Sequence, residues 1–372
     1  MTPMIEETDA KNGSGNGEHQ PRSMVQLSER CFCASVKADG SAIKKEAQSI
    51  NDILGQVKES SISWVDYFLD DFEKDAPQAA MAAGFSEALV KALIKNTRSG
   101  YEDFENEMGI LMPAILAKGF DVQLNPILIL IKENLILSLH TTEVKRFFRL
   151  RRYAETHLKK LPKKMKKTDK ITSLLIRIID ENNNRNFEHL LEIEEQGDKL
   201  SEYLADPNAP RSKIGKEIHG MKHALMVYLS GQWATLDALN ELRYGDADLI
   251  TDDKKLLEKL TLIVTQVNSQ IGLTEHLSEV LASGLEVVQT IYNNQLQIFN
   301  NRLALLVSYL TIIGTALLVP NTIATALSSP VFNLGTQDEG WYITLLVAST
   351  IVSAAGAWLI VKKMNLLPIQ PD

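Results

Sequence analysis

Two long uncharged segments near the C-terminus constrain this chain more than any other feature. Residues 303–327 contain no Asp, Glu, Lys or Arg, and neither do residues 341–361. A helix needs about 20 predominantly apolar residues to cross the hydrocarbon core of a bilayer. We therefore predict a first transmembrane helix at 303–327, an external loop at 328–340 and a second transmembrane helix at 341–361. The alternative is a buried helical hairpin of a soluble protein.

The charges that flank these segments predict their orientation. Arg302 precedes the first segment and Lys362 and Lys363 follow the second, whereas the loop at 328–340 has no Lys or Arg. Basic residues remain preferentially on the cytoplasmic side of a membrane. We therefore predict a two-span protein of the cell membrane with both termini in the cytoplasm, ending in a short tail at 362–372.

Polar side chains recur every seven residues along the first span. One row consists of Asn294, Asn301, Ser308, Thr315, Thr322 and Ser329, and a second of Gln297, Ala304, Thr311, Leu318 and Thr325. A polar stripe within a membrane must face protein or water. A ring of identical first spans with the stripe at a shared axis forms a pore, so all these positions except Ala304 are our predicted pore lining. The alternative is tight helix packing through small residues, with hydroxyls bonded to their own backbone.

Three apolar side chains lie on or beside this stripe, namely Val307, Leu310 and Leu318. Apolar constrictions close pores by expelling water. We predict that these three residues form a hydrophobic gate.

The segment at 31–142 is predicted to be a cytoplasmic α/β domain with a small sheet. Residues 61–66 are typical of a short strand, and residues 126–139 contain two apolar runs split by Lys132, Glu133 and Asn134, a pattern typical of a β-hairpin. Residues 76–94 are helical in composition.

Long helices are predicted between this domain and the membrane. The segment at 143–250 contains helical stretches at 171–204 and 213–243, and apolar residues recur at helical spacing across 251–302. If this last helix continues into the first span, it covers about 75 residues, or about 110 Å at 1.5 Å per residue. Such a helix needs neighbours to pack on, which favours an oligomer.

Other features exclude or weaken several function classes. The net charge of −8 argues against nucleic-acid binding, and no P-loop, nucleophile elbow or zinc-protease motif indicates an enzyme. Residues 1–30 are polar and Gly-rich and are predicted to be disordered. His219 and His223 share a helix face that suits a metal, although such a pair is more often polar surface. The basic tract at 145–170 is interpreted either as a solvated helix face or as a belt near anionic lipid or near acids of the stalk.

The order of these elements resembles the CorA family of divalent-cation channels. The motifs that carry the resemblance are Asn300-Asn301-Arg302, residues 310–315 (LTIIGT), Pro320 with Thr322, and the strand at 61–66 (SISWVD). The resemblance covers roughly residues 31–363. It implies an α+β cytoplasmic domain, a long helical stalk and two transmembrane helices in a funnel-shaped homopentamer. It further implies membrane lipid and a metal cation as partners, and no tightly bound cofactor, with Mg²⁺ or another divalent cation as the transported or regulatory ion.

The chain departs from the family at the outer end of the first span. Family members carry Gly-Met-Asn there, or a variant that keeps Gly and Asn, whereas this chain has Ser-Ser-Pro-Val-Phe-Asn at 328–333. Asn333 is the candidate substitute in this stretch, and copies of Asp338 and Glu339 would surround the outer mouth of an oligomer. Magnesium selectivity is therefore not implied, and the alternatives are Zn²⁺, monovalent cations, or a non-conducting membrane sensor or scaffold.

A second departure concerns regulation. The resemblance implies that carboxylates on the stalk helix sense cytoplasmic Mg²⁺, yet residues 259–274 contain none. Asp252, Asp253 and Glu258 lie just before this window and are the candidate metal ligands.

Overall fold

The computed structural model describes residues 30–95, 99–162, 164–205, 211–244, 247–329, 331–332 and 335–363. The tail predicted to be disordered lies outside the described residues, except for Arg30. The same holds for Asn333 and for residues 364–372. The chain divides into two compact units, Met1–Glu279 and Val280–Asp372.

The first unit contains a seven-stranded sheet. The strands are β1 (Cys31–Lys37), β2 (Ala42–Ala47), β3 (Ser60–Leu69), β4 (Gly100–Phe104), β5 (Glu107–Lys118), β6 (Asp121–Lys132) and β7 (Leu135–Thr141). They lie in the order β2-β1-β3-β7-β6-β5-β4. Neighbouring strands are antiparallel, except that β3 and β7 run parallel. The sheet is therefore larger than the sequence predicted, because only β3 and the β6–β7 hairpin carried recognisable patterns.

The β6–β7 hairpin shows why the apolar runs were readable. Side chains of a strand alternate between the two faces of a sheet. Ile127, Ile129 and Ile131 are buried on one face, and Leu128 and Leu130 on the other. A sheet covered on both sides requires such continuous apolar runs, and the predicted hairpin is confirmed.

Helices cover both faces of the sheet. They are α1 (Leu54–Lys58), α2 (Phe72–Ala82), α3 (Glu87–Lys95), α4 (Phe148–Lys159), α5 (Lys167–Ala205), α6 (Arg211–Tyr244), α7 (Lys254–Leu327) and α8 (Glu339–Lys363). Apolar residues of α2 and α3 pack on one face, and those of α4, α5, α6 and the first turns of α7 on the other. The predicted fold class, a mixed α and β domain followed by long helices and two candidate spans, is confirmed.

A buried charged cluster joins β3, β7 and α4. The Asp66 carboxylate, fully buried, accepts hydrogen bonds from Arg151 Nε at 2.6 Å, Ser138 Oγ at 2.6 Å and His140 Nε2 at 3.0 Å. Trp64 Nε1 in turn donates to Ser138 Oγ. Burial raises the pKa of Asp66, but the positive charge of Arg151 and the interactions with His140 outweigh it and hold this pKa well below its usual range.

A second buried cation corrects the interpretation of the basic tract at 145–170. Arg146 donates to the side chains of Asn182 and Asn186 and to the backbone carbonyl of Ile115, and no carboxylate is among its partners in the described part of the chain. Burial lowers the pKa of Arg146 to about 9. Arg146 and Arg151 are therefore core residues, whereas the sequence placed both on a solvated face or a basic belt.

Amide hydrogen bonds connect α7 to α5 and α6 within the first unit. Gln270 Oε1 on α7 accepts from Tyr228 and Gln232 on α6, and Asn183 on α5 donates to Gln266. Buried polar groups paired in this way fix one relative placement of helices, because any shift leaves them unsatisfied. The N-terminal part of α7 is thereby held in register with the sheet domain.

The described second unit consists of the rest of α7, a short 3-10 turn at Thr336–Asp338 and α8. Helix α7 remains helical through Pro320 and ends at Leu327. Both predicted spans, 303–327 and 341–361, lie within these two helices.

Candidate ion pathway on the first membrane helix

Helices α7 and α8 are each long and apolar enough to cross a membrane. In the most apolar stretch of each helix, only 6% of the residues are buried inside the chain. The exposed side chains are large and apolar, such as Leu306, Leu317 and Ile351. The core helices of a soluble protein bury such side chains. An exposed apolar surface of this extent requires lipid or a protein partner.

The two helices face each other across a groove of about 550 Å³. On α7 it is lined by Thr311, Thr315, Val319 and Ile323, and on α8 by three larger apolar residues together with the small residues Ser349, Ser353, Gly356 and Ala357. Small residues at such positions allow membrane helices to approach closely.

This groove divides the predicted pore lining. Thr311 and Thr315 line it, and Ser308, one turn before Thr311 on the same side of α7, is only 7% exposed. These three residues therefore face the second span of their own chain. A row with a spacing of seven falls about 20° short of two full turns at each step. The groove instead follows residues spaced by four, each about 40° beyond one full turn, so it moves away from the row along α7, and Thr322 is exposed.

The face of α7 opposite the groove is also defined by the structure. Val319 and Ile323 line the groove, and Asn321 lies two residues from each, about 200° around the helix. By the same count Val307, Leu310, Leu318 and Thr325 lie within about 60° of Asn321. The three residues of the predicted gate thus lie on the same side of α7 as Thr325, although Val307 and Leu318 are each one turn from a groove residue, Thr311 and Thr315. Leu310 and Leu318 are 67% and 68% exposed in the single chain.

The hydroxyls of the polar stripe are bonded to their own helix. Ser308, Thr311, Thr315, Thr322 and Thr325 each donate to the carbonyl four residues earlier. A hydroxyl that donates its proton still presents lone pairs that can accept a hydrogen bond from water or contact a cation. Both the pore and the packing interpretation are compatible with this bonding.

Asn321 is a residue that the sequence interpretation missed. It belongs to neither row of seven, yet it is the only Asn or Gln within residues 303–327. It is exposed in the chain. A lone amide in a segment without charges was the signal that could have identified it.

The other predicted pore residues lie beyond this central part. Asn294 and Gln297 are exposed and Asn301 is half-buried on the N-terminal side of the span, and Ser329 is half-buried just after α7 ends. Asn333, the predicted residue of the outer mouth, lies outside the described residues.

The loop between the two candidate spans holds one acid in place. Asp338 accepts a hydrogen bond from Trp341 Nε1 and another from the backbone N–H of Gly335, both at 3.0 Å. These two bonds lower the pKa of Asp338. Glu339 is the first residue of α8 and is exposed. The loop therefore presents two acids, and Asp338 has a fixed orientation.

The structure places the predicted metal ligands of the stalk at the surface of the chain. Asp252, Asp253 and Glu258 are exposed, and Asp253 accepts from the backbone N–H of Leu256 at the start of α7. Across the described residues, no group of three or more His, Cys, Asp or Glu side chains is placed to hold a metal ion. The exposed pair His219 and His223 likewise has no third ligand there.

Comparison with known proteins identifies the family. The family model described as CorA-like Mg²⁺ transporter protein matches residues 59–363. This chain belongs to that family. The resemblance seen in the sequence is confirmed, and the match includes both candidate spans. Comparison with curated proteins gives no match.

Solved structures share the fold. The complete CorA magnesium transporter from Methanocaldococcus jannaschii is 18% identical in sequence and superposes with a TM-score of 0.66. The match covers 89% of this chain and 97% of the transporter chain. The full-length CmaX protein is 16% identical, with coverage of 91% and 98% and a TM-score of 0.58. The ZntB cytoplasmic domain from Vibrio parahaemolyticus is 15% identical, with coverage of 71% and 98% and a TM-score of 0.53. At these identities the comparisons establish the fold alone.

Proposed function

We propose that this CorA-like chain is a subunit of a homo-oligomeric channel that conducts cations through a central pore lined by its first span. The observation that carries the proposal is the face of α7 opposite the groove. There Asn321 and Thr325 are exposed polar residues in an uncharged helix, and α8 packs on the other side. Polar groups at membrane depth must face protein or water. Copies of the same face around an axis satisfy that requirement.

The proposed pathway is neutral. From the outside inwards it passes Thr325, Asn321 and then the apolar side chains of Leu318, Leu310 and Val307. Neutral oxygens replace outer-shell water around a hydrated cation, whereas the apolar positions close the pathway by dewetting. Thr322 lies about 100° from both Asn321 and Ile323, between this face and the groove. Ser308, Thr311 and Thr315 contribute to packing between the spans.

The number of subunits and the orientation complete the proposal. The family resemblance supports a pentamer, and the positions of Arg302, Lys362 and Lys363 support cytoplasmic termini. Asp338 and Glu339 then lie at the outer mouth, where repeated acids raise the local concentration of cations. A divalent metal such as Mg²⁺ is the proposed cargo, and Asp252, Asp253 and Glu258 are the proposed contacts for a regulatory ion.

A non-conducting membrane sensor or scaffold is the second candidate. The absence of Gly-x-Asn after α7 favours it, because the family's outer ion site is then lost. The hydroxyls that donate to their own backbone favour it as well, since they need no pore to be satisfied. The exposed amide of Asn321 favours the channel.

Ion flux distinguishes the two candidates. The purified full-length protein is reconstituted in liposomes, and fluxes of Mg²⁺, Zn²⁺, Na⁺ and K⁺ are compared for the wild type, Thr325→Leu and Thr344→Leu. Thr344 is the matched control because it lies on α8 and its hydroxyl also donates to the carbonyl four residues earlier. We expect Thr325→Leu to lower flux to the level of empty liposomes and Thr344→Leu to leave it unchanged. If the wild type conducts none of these ions, the channel is refuted and the sensor or scaffold remains.

A further inference from the structure

Asn321 is the residue of the proposed pathway to which no specific role has yet been assigned. It is the only amide side chain in the 25-residue segment 303–327. An amide in hydrocarbon without a hydrogen-bond partner is strongly unfavourable. A span of this composition therefore keeps an Asn only where protein or water meets it.

The chain itself does not meet this need. The Asn321 side chain has no hydrogen-bond partner within the described part of the chain. The Thr325 hydroxyl donates to the backbone carbonyl of Asn321, not to its amide side chain. The groove against α8 lies on the opposite side of the helix, as the positions of Val319 and Ile323 show. The amide therefore points away from the second span and towards whatever surrounds the subunit.

The neighbours of Asn321 show what kind of surface it belongs to. One turn towards the outside lies Thr325, whose oxygen retains free lone pairs. One turn towards the cytoplasm lie Leu317 and Leu318, both of which are exposed in the single chain. A polar layer followed directly by an apolar layer is the arrangement of a binding ring above a hydrophobic constriction.

We propose that Asn321 of each subunit contributes to a ring of amide oxygens that binds the transported cation with its hydration shell and determines ion selectivity. Amide oxygens are hard, neutral ligands that suit Mg²⁺ and other hydrated divalent cations. The ring replaces the outer asparagine site that the loop after α7 lacks, and it lies inside the span instead of beyond its end. This inference rests on the proposed channel.

Flux ratios test the selectivity role. Proteoliposomes containing the wild type, Asn321→Ala, Asn321→Gln or the control Asn293→Ala are compared for Mg²⁺ and Na⁺ flux. Asn293 is an exposed Asn of α7 before the span and outside both polar rows. We expect Asn321→Ala to lower the Mg²⁺/Na⁺ flux ratio by about tenfold, the size of one lost polar interaction. Asn321→Gln, which keeps an amide, restores part of the ratio.

Disulfide cross-linking tests the ring independently of flux. Asn321→Cys and the control Ile351→Cys are oxidised in the reconstituted protein and run on denaturing gels. Ile351 is 64% exposed on α8, and the native Cys31 and Cys33 are fully buried. Disulfide-linked dimers of Asn321→Cys, without dimers of Ile351→Cys, support convergence of the Asn321 side chains on one axis.

The outcomes separate this inference from the proposed channel. If the wild type conducts and Asn321→Ala keeps the wild-type flux ratio, the selectivity ring is refuted and the channel stands. If the wild type conducts and Asn321→Cys gives no dimers, the ring is refuted as well. If the wild type conducts no cation, both proposals are refuted together.

Discussion

The buried Asp66–Arg151 pair offers a quantitative test of how the sheet domain is held together. The substitution Asp66→Asn preserves the shape of the side chain and removes its charge. Arg151 then remains nearly buried without a counter-ion, since its side chain is only 10% exposed. Removing one member of a buried ion pair costs about 3–5 kcal/mol.

Two features of the site place the expected cost within that range. The guanidinium carbon of Arg151 lies 4.3 Å from the ring centroid of Phe68, and such a cation–π contact retains about 1–2 kcal/mol of favourable interaction. Ser138 and His140 lose a charged acceptor but keep the amide oxygen as a partner. We therefore expect a loss of about 3 kcal/mol, or roughly 6–12 °C in the midpoint of thermal unfolding for a unit of this size.

The assay is thermal unfolding of the full-length protein in detergent, followed by circular dichroism. Asp70→Asn is the matched control, because Asp70 pairs with Arg30 at 2.7 Å but both side chains are about half exposed or more. Such surface pairs contribute about 0–1 kcal/mol. The double substitution Asp66→Asn/Arg151→Met is expected to recover most of the loss, since it also removes the uncompensated charge. A midpoint for Asp66→Asn that equals that of Asp70→Asn would refute this reasoning.

The pH dependence of the same comparison has a definite sign. The folded-state pKa of Asp66 lies below its unfolded value, so its contribution is fully present above the unfolded pKa of about 4. That contribution is lost as the pH falls through the folded-state pKa. The difference in stability between the wild type and Asp66→Asn should therefore be constant from pH 7 to pH 5 and shrink below about pH 4.

Two further predictions concern the interior of the first unit. A Cβ at Gly231 would lie 2.7 Å from Leu124 Cδ2 and 3.0 Å from two atoms of Ile115. We therefore expect Gly231→Ala to lower the free energy of unfolding by about 1–2 kcal/mol, after allowing for its gain in helix propensity. The control Gly215→Ala, where a Cβ would meet nothing within 4 Å, should raise the free energy of unfolding by about 0.5–1 kcal/mol. Thermal midpoints that move in the same direction for both variants would contradict this packing. Burial raises the pKa of both native thiols, Cys31 and Cys33, to about 12. Neither thiol should therefore react with maleimide at pH 7.5 until urea unfolds the domain. Rapid labelling of the native protein would contradict their burial.

Much of the architecture was readable because its physical signals are local. The spans are encoded by their lack of charge, and the β6–β7 hairpin by apolar runs around a turn that contains Glu133. The burial of Arg151 was not readable, because its partner Asp66 precedes it by 85 residues and only the sheet brings them together. The basic tract therefore resembled a solvated surface although two of its side chains lie in the core.

The candidate pathway was only partly readable for a different reason. Counting by sevens produced a continuous polar row, but the groove against α8 follows residues spaced by four and therefore diverges from that row along the helix. Ser308 and Thr315 thus lie on the side of α8, whereas Thr325 lies on the side opposite the groove residue Ile323. Asn321 fell between the rows, and its significance became clear only when the groove defined the opposite face of α7.

Mg²⁺ influx into liposomes that contain the wild-type protein tests the central claim most directly. A Mg²⁺-sensitive dye is trapped inside, a negative internal potential is imposed, and protein-free liposomes from the same lipid provide the baseline. A channel of the proposed kind gives influx above this baseline that Thr325→Leu abolishes and Thr344→Leu preserves. Baseline influx of Mg²⁺, together with baseline fluxes of Zn²⁺, Na⁺ and K⁺, would contradict conduction through the first span.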